Sequence, residues 1–479
     1  MRLLHTMVAL LFAASAYAQA GLGFNGSNWF EAQTPDDLNT YLSAIEQGDL
    51  VSFRWRTDKT DDPMAELPYM VELLDSVDAH GADMRLVVTI DVDAEAASNT
   101  ALLLGLVKAG HEPAAVEMDN EYYSEEPKLD AYGYAAKAEL QQAAMMAAGI
   151  DVPVLLFLAP RPKDSNGDGV IDGQGDILGG RGDHQVYDDT MVEQIQAHHN
   201  WYPVIHIYYG GREVAGYDNI PAKRPVQLPE LEVRAQQADL VAYHQALYDG
   251  AAASDLFEAT MHYLERKLPG SSYYVTEFGY NAAGDTKNTI GYTAGIWVTW
   301  QAMRDWPGLA VLQEHNGIAR TLTGCISPAV DQDEATSGNV VRQSFYCYQL
   351  VLEAGTTEPL PADLSALAPG VYRFHYANVQ ASGVQLPVKA GSNTITWQQA
   401  RCVAGSYVYS SSGACAFMDK GSEAGYEVDG IKTVDDAGYL PPYSYGYIVA
   451  EVKRKPPHPV CRHRFLFFCI KTTRRACDC

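Results

Sequence analysis

The chain has 479 residues, which is enough for one large domain with an appendage or for two to three domains. Its 60 acidic residues outnumber its 34 basic ones, and the formal net charge of −26 opposes binding to nucleic acid and to anionic membrane surfaces. An uncharged partner is compatible with this composition, whereas nucleic acid is disfavoured as a partner.

The N-terminal segment has the pattern of a secretory signal peptide, which we assign to residues 1–18. Arg2 gives it a basic start, a short apolar stretch follows, and Ala16-Tyr17-Ala18 is a small-residue exit. The stretch is too short to span a bilayer, and no later segment approaches about 18 uninterrupted apolar residues. We therefore expect cleavage after Ala18 and a soluble secreted protein, extracellular or periplasmic, with no membrane partner.

Eight short β-favouring runs then alternate with helical patterns. The predicted strands cover residues 21–25, 50–55, 84–91, 114–120, 153–159, 203–208, 272–277 and 308–314. The predicted helices cover residues 35–47, 64–80, 94–109, 130–148, 189–199, 232–267, 287–304 and 338–353. Parallel strands need helical crossovers, and closure removes the sheet edges, so the order predicts an α/β fold, a (β/α)8 TIM barrel, over residues 19–355.

An open doubly wound sheet is the competing architecture. It usually carries a glycine-rich phosphate-binding turn after its first strand. Here the corresponding residues are Asn25-Gly26-Ser27-Asn28-Trp29, which lack that fingerprint.

The pattern changes after the barrel. Residues 356–452 contain short β-rich segments separated by turn residues, and they predict a small all-β domain. Residues 453–479 carry eight Lys or Arg against one Asp, together with four cysteines. We expect this tail to be a disordered or aberrant extension, with a basic arm for a wall polymer as the alternative.

Four further cysteines form an even set in an exported chain. The simplest pairing joins Cys325 to Cys347 and Cys402 to Cys415 as structural disulfides.

Two glutamates end predicted strands of the barrel. Glu121 closes the run Ala-Val-Glu-Met-Asp-Asn-Glu after the fourth strand, and Glu277 lies in Tyr-Tyr-Val-Thr-Glu-Phe-Gly at the end of the seventh. The C-terminal ends of barrel strands are where such folds place chemistry. Two carboxylates that face one cleft suit the hydrolysis of a glycosidic bond, whereas the structural alternative is a strand-end residue that caps a helix or pairs with Arg.

This arrangement resembles the clan A retaining glycoside hydrolases, which place Asn-Glu after strand four and a second Glu after strand seven. The resemblance implies that Glu121 is the general acid and base and that Glu277 is the nucleophile. Asn120 would bind the sugar 2-hydroxyl. The two carboxyl groups are then expected about 5 to 5.5 Å apart, with pKa values that their environments move in opposite directions.

The same resemblance suggests substrate-binding and orienting residues elsewhere. Arg54 would hold Glu277 ionised, with Arg56 as a rival. His206 and Tyr208 share one face of the sixth strand and would orient the nucleophile, unless they form a buried satisfied pair. The eighth strand lacks the Trp of many clan members. Its candidate sugar ligands are Gln313, Glu314 and His315, and the candidate stacking rings are Trp29, Trp55 and Trp201.

A loop after the fifth strand resembles the Ca²⁺ loop of the EF-hand. Asp164, Asn166, Asp168 and Asp172 offer side-chain oxygens and Val170 a carbonyl, although Gly175 stands where the bidentate Glu is expected. We expect a structural Ca²⁺ clip rather than a solvated turn, and no cofactor required for the chemistry.

The sequence therefore predicts a secreted retaining enzyme that cleaves β-glycosidic bonds of a poly- or oligosaccharide. The alternatives are a non-catalytic carbohydrate-binding barrel, an exo-acting arabinofuranosidase, xylosidase or uronidase, and an inverting enzyme. The sugar, the linkage and the oligomeric state stay open, because specificity resides in loops.

Overall fold

A computed structural model describes the greater part of the chain. The described residues are 19–26, 41–43, 45–58, 60, 62–124, 130–160, 183–209, 255–280, 290–318, 326–330, 335–341, 343–380, 382–403, 432–434, 438–441, 444–454, 464–465 and 468–469. The predicted signal peptide, Trp29 and the predicted Ca²⁺ loop, with Asp164, Asn166, Asp168, Val170 and Asp172, lie outside these residues.

Eight parallel strands close into a barrel, which confirms the predicted fold. Their bounds are Gly21–Gly26 (β1), Leu50–Arg56 (β2), Asp83–Ile90 (β3), Ala115–Met118 (β4), Val154–Phe157 (β5), Trp201–Tyr209 (β6), Tyr273–Tyr280 (β7) and Leu309–Ile318 (β8). Each strand pairs with the next in sequence, and β1 also pairs with β8, which closes the cylinder.

Helices follow the strands on the outside of the barrel. Those described are Leu67–His80 (α1), Ala96–Ala109 (α2), Ala131–Ala147 (α3), Asp183–Ala197 (α4), Asp255–Lys267 (α5), Ile290–Met303 (α6) and Gln343–Ala354 (α7). The predicted start of the last helix at residue 338 is wrong. Residues Ala335–Val341 (β10) instead pair antiparallel with Ile326–Val330 (β9), because a glycine and two valines in succession disfavour a helix and favour a strand.

Alternation along each strand separates the barrel interior from the helical layer. On β2, Arg54 faces the interior, whereas Phe53 and Trp55 on either side of it are fully buried beneath the helices. Phe24 of β1 likewise packs outward, with its ring 4.7 Å from that of Tyr348 on α7. The apolar core of the barrel therefore lies between strands and helices, and the interior is free to hold polar groups.

The C-terminal sheet forms a second domain with its own core, as predicted. Its order is Glu358–Pro359 (β11), Gly370–Asn378 (β12), Ser444–Lys453 (β18), Asn393–Val403 (β15) and Lys389–Ala390 (β14). The remaining short strands are Val384–Gln385 (β13), Lys432–Val434 (β16), Tyr439–Leu440 (β17), Arg464–Phe465 (β19) and Phe468–Cys469 (β20).

The β domain packs against the last barrel helices. The ring of Trp297 on α6 lies 6.1 Å from that of Tyr445 on β18. The hydroxyl of Thr357 donates to Gln301 Oε1 at 2.7 Å, and both residues are buried. These contacts fix the domain beside the barrel.

Two further predictions concern the cysteines and the tail. Cys347 is buried in α7, whereas the side chains of Cys325, Cys402 and Cys415 lie outside the described residues, so the disulfides stay predictions. In the tail, β19 and β20 pair as a short antiparallel piece. Among the residues that the structure describes, no helix is both long and apolar enough to cross a membrane.

Barrel closure depends on a glycine beside the site. A Cβ added to Gly23 would lie 1.8 Å from the carbonyl oxygen of Ser52 on the neighbouring strand. We expect Gly23→Ala to lower the free energy of unfolding by about 3 kcal/mol or more, because backbone on both sides prevents relief. Thermal and urea unfolding measure the loss.

Gly110→Ala is the matched control, since Gly110 has a φ of 98° and no atom near the added Cβ within 4 Å. Only the cost of the left-handed backbone, about 1 to 2 kcal/mol, applies there. Equal losses in the two variants would contradict the packing explanation.

Candidate active site

A β-bulge brings Glu277 into the barrel. The register of β7 shifts against both β6 and β8 around Thr276 and Glu277, so two consecutive side chains reach the interior. Thr276 Oγ1 lies 3.2 Å from His206 Nε2, while Glu277 contacts Arg54. The expectation that the strand ends at Glu277 is wrong, because β7 continues to Tyr280; the bulge, rather than a strand end, directs the carboxylate.

Glu121 follows a tight turn rather than a strand. β4 ends at Met118, two residues before the predicted end, and Asp119 and Glu121 have φ values of 69° and 54°. Asp119 Oδ1 accepts a hydrogen bond from the backbone N–H of Asn120 at 2.6 Å, which stabilises the turn. Non-glycine residues rarely adopt this left-handed conformation, so the turn that positions the carboxylate of Glu121 is strained.

Both oxygens of Glu277 are held by donors. Arg54 Nη1 donates to Oε1 at 2.5 Å and Asn25 Nδ2 donates to the same oxygen at 2.9 Å, while the Tyr208 hydroxyl donates to Oε2. The side chain is only 4% exposed. Burial acts to raise the pKa of Glu277, but the positive charges of His206, His315 and Arg54 outweigh it and hold the pKa well below its ordinary value.

His206 connects the two glutamates. Its Nδ1 lies 2.9 Å from Glu121 Oε1 and 3.4 Å from Glu277 Oε2, and the ring packs edge-on against Phe157. Burial acts to raise the pKa of Glu121, but the hydrogen bond and the charge of His206 lower it below its ordinary value. The expected opposite shifts are therefore wrong for this state, since both pKa values are lowered.

His315 completes the polar ring above Glu277. Its Nδ1 lies 3.3 Å from Glu277 Oε2 and is also bonded to the hydroxyl of Tyr208. Burial, followed by the charge of Glu277, raises the pKa of Tyr208 well above its ordinary value, so this phenol stays a proton donor. His315 is 31% exposed, which leaves part of its ring open at the mouth of the barrel.

Arg54 is fully buried and contacts three acceptors. Besides Glu277, its Nη2 bonds to Glu117 Oε1 and to Asn120 Oδ1, the latter at 2.9 Å. Thr89 Oγ1 also donates to Glu117 Oε1, at 3.1 Å. Burial acts to lower the pKa of Arg54, but the charges of Glu117 and then Glu277 outweigh it and raise the pKa above its ordinary value.

The sequence interpretation missed Glu117 and Asn25. The available signal for Glu117 was a charged residue between Val116 and Met118 in an otherwise apolar strand, since such a residue needs a buried partner. Asn25 gave no comparable signal, because a strand-end Asn is also typical of a turn.

Two predicted roles on β2 need correction. Arg56 pairs with Asp58 at 2.6 Å instead of Glu277, which leaves Arg54 in that position. Trp55 is fully buried on the outer face and donates to Glu66 at 2.5 Å, so it presents no surface to a sugar.

Gln313 lies inside the barrel, two residues before His315 on the same face and therefore about 6.6 Å deeper. It is fully buried beside Gly23, and this prevents the predicted contact with a sugar hydroxyl. Glu314 is also fully buried, and Trp201 is 3% exposed and stacks on His198. Their predicted contacts with a sugar are therefore wrong as well.

One group in the described part of the chain has a geometry that could ligate a metal ion. Glu121, His206 and Glu277 each offer one ligand atom, and these atoms lie within 4.8 Å of one another. The guanidinium of Arg54 beside Glu277 opposes a further cation there. The arrangement is better suited to acid–base and nucleophilic chemistry by carboxylates.

Comparisons with known proteins give distant structural similarity only. No protein-family model matches the chain, and no curated protein matches its sequence. The fold is similar to that of a 4-O-α-L-rhamnosyl-β-D-glucuronidase from Fusarium oxysporum, with 9% identity over 90% of this chain and 96% of that one and a TM-score of 0.46.

Two xylanase structures are similar to the same degree. A glycoside hydrolase family 30 subfamily 8 xylanase from Clostridium acetobutylicum has 11% identity over 92% of this chain and 98% of its own, with a TM-score of 0.41. The catalytic domain of GH30 xylanase C from Talaromyces cellulolyticus has 8% identity over 91% and 98%, with a TM-score of 0.47. The barrel assignment itself rests on the closed strand order.

The depressed pKa of Glu277 links folding to pH. An unfolded Glu has a pKa of about 4.3, so ionised Glu277 stabilises the fold above that pH, and the stabilisation is lost as the pH falls through the lower folded value. We expect Glu277→Gln to flatten the acid side of a plot of melting temperature against pH. Glu451→Gln is the control, since the Glu451 side chain is 47% exposed on β18 of the C-terminal sheet, and parallel curves for all three proteins would contradict the lowered pKa of Glu277.

Proposed function

We propose that the protein is a secreted retaining glycoside hydrolase that cleaves β-glycosidic bonds of a poly- or oligosaccharide by double displacement. The observation that carries this proposal is the distance between the two glutamates, whose nearest carboxylate oxygens lie within 4.8 Å. Retaining enzymes have carboxyl groups about 5 to 5.5 Å apart, whereas inverting enzymes need about 6.5 to 9.5 Å to admit a water molecule. The pair is therefore suited to retention.

Burial and charge support different roles for the two residues. Glu277 is 4% exposed, is bound at both oxygens and has a lowered pKa, as an ionised nucleophile requires. Glu121 is 30% exposed, so it meets the cleft where a leaving group departs and water enters. We assign Glu277 as the nucleophile and Glu121 as the acid and base.

In the first step, a Glu277 oxygen attacks the anomeric carbon and the bond to the leaving oxygen breaks. Glu121 donates its proton to the leaving oxygen. In the second step, water attacks the same carbon and gives a proton to Glu121, and the ester bond breaks with its electrons returning to Glu277. Each step passes through an oxocarbenium-like transition state.

A general acid must carry a proton, although the pKa of Glu121 is lowered in the free protein. His206 Nδ1 lies 2.9 Å from Glu121 Oε1, so a hydrogen bond between the two side chains holds a proton at this carboxyl group. Substrate that covers the 30% exposed carboxyl removes water from it, and desolvation favours the neutral acid. Asn120, held by Arg54, is placed beside the reaction centre to bind a sugar hydroxyl.

A panel of polysaccharides with product analysis tests the function. We expect at least one β-linked polysaccharide to be hydrolysed and the NMR spectrum of the first product to show the retained anomer. We expect Glu121→Gln to lower kcat/KM by about 10²- to 10⁴-fold through loss of acid–base catalysis, and Glu277→Gln by at least as much. Glu451→Gln should match the wild type.

Each departure from this pattern has a distinct meaning. A first product with inverted configuration would replace double displacement by single displacement. Binding of a polysaccharide with no hydrolysis would favour the non-catalytic carbohydrate-binding hypothesis. Unchanged hydrolysis by Glu277→Gln would remove Glu277 from the role of nucleophile.

A further inference from the structure

Among the described residues, the guanidinium of Arg54 lies in the barrel interior between two carboxylates. Arg54 bonds to Glu117 through Nη2 and to Glu277 through Nη1, and the three side chains are at most 4% exposed. Counted as an ionic group, the three residues carry one net negative charge in the free protein. Buried charges interact strongly because little water screens them, so this net charge affects the reaction at Glu277.

The net charge of these three side chains changes when Glu277 reacts. Under the proposed function, on which this inference rests, Glu277 becomes a neutral glycosyl ester and no longer balances Arg54. With Glu117 present the remaining pair is neutral. Without it, a buried guanidinium would face a sugar ring that carries positive charge in both transition states, and like charges repel.

We propose that Glu117 is a positioning residue that serves as the permanent counter-ion of Arg54 throughout the reaction cycle. It acts through Arg54 and not on the sugar. Because it keeps the interior one charge more negative, it stabilises the oxocarbenium-like transition states of both steps, whereas substrate binding in the ground state is unaffected.

The contacts of Glu117 do not suit a role in stability alone. Its Oε1 accepts from Arg54 and Thr89, but its Oε2 has no hydrogen-bond partner among the described residues. A fully buried carboxylate with one unsatisfied oxygen costs free energy, and well-packed uncharged groups are often as stable at such positions. The charges of Glu117 and Glu277 also raise the pKa of Arg54 against the effect of burial, with Glu117 the larger contributor.

Substitution of Glu117 separates charge from shape. Glu117→Gln keeps the shape and an acceptor oxygen but loses the charge, and we expect kcat and kcat/KM to fall together by about 100-fold, with KM within about threefold of the wild type. Glu117→Asp keeps the charge on a shorter side chain and should retain about tenfold more activity than Glu117→Gln. A purely structural role predicts the reverse order, because Gln fits the site better than Asp.

A double mutant tests whether Glu117 acts through Arg54. In an Arg54→Met background Glu117 is buried with no guanidinium beside it, and burial of an unpaired carboxyl group favours its neutral form, so adding Glu117→Gln should change kcat by less than about threefold. Independent effects of about 100-fold in both backgrounds would overturn the proposal, as would a Glu117→Gln enzyme with wild-type kcat. If Glu117→Gln alone does not fold, the double mutant compared with Arg54→Met decides the outcome on the same criterion.

Ser52→Ala is the matched control, since Ser52 is fully buried on β2, the strand of Arg54, and its hydroxyl donates to a backbone carbonyl, Gly21 O, at 2.8 Å. It should leave kcat within about twofold of the wild type. A wild-type protein with no retaining hydrolysis would overturn the proposed function and the counter-ion role together. An active wild type with an unaffected Glu117→Gln variant would overturn the counter-ion role alone.

Discussion

The guanidinium of Arg54 is the group on which the polar interior depends. It is fully buried, and its two terminal nitrogens hold Glu277, Glu117 and Asn120. A buried cation of this kind is tolerated only with anionic partners, and buried anions need it equally. The charge balance therefore favours an ionised Glu277 low in the barrel, whereas the turn after β4 positions Glu121 nearer the solvent.

Backbone irregularities complete the arrangement at two strand ends. A regular β7 would point Thr276 and Glu277 to opposite faces, but the bulge turns both toward His206. The left-handed turn at Asp119 and Glu121 similarly lifts the second carboxylate from β4. Both features are local deviations from regular structure that the rigid surrounding sheet is able to maintain.

Much of this organisation follows from sequence patterns. Alternating strands and helices predict the barrel, and strand counting brings Glu121 and Glu277 to one end of it because parallel strands share that end. No periodic pattern in the sequence marks the bulge or the positive φ angles, so neither is predicted. The sequence predicts Trp55 and Gln313 in the cleft, because residue type alone gives neither the face that a side chain takes, as for Trp55, nor its depth in the barrel, as for Gln313. The sequence does not pair Glu117 with Arg54, because their contact forms only between different strands of the barrel.

The covalent bond that Glu277 is proposed to form with the sugar is tested most directly by mass spectrometry of a trapped intermediate. After a hydrolysed sugar is identified, the corresponding 2-deoxy-2-fluoro glycoside with a good leaving group should inactivate the enzyme and leave one fluoroglycosyl unit on the peptide that contains Glu277. A label on Glu121, or continued hydrolysis with no label at Glu277, would contradict the account.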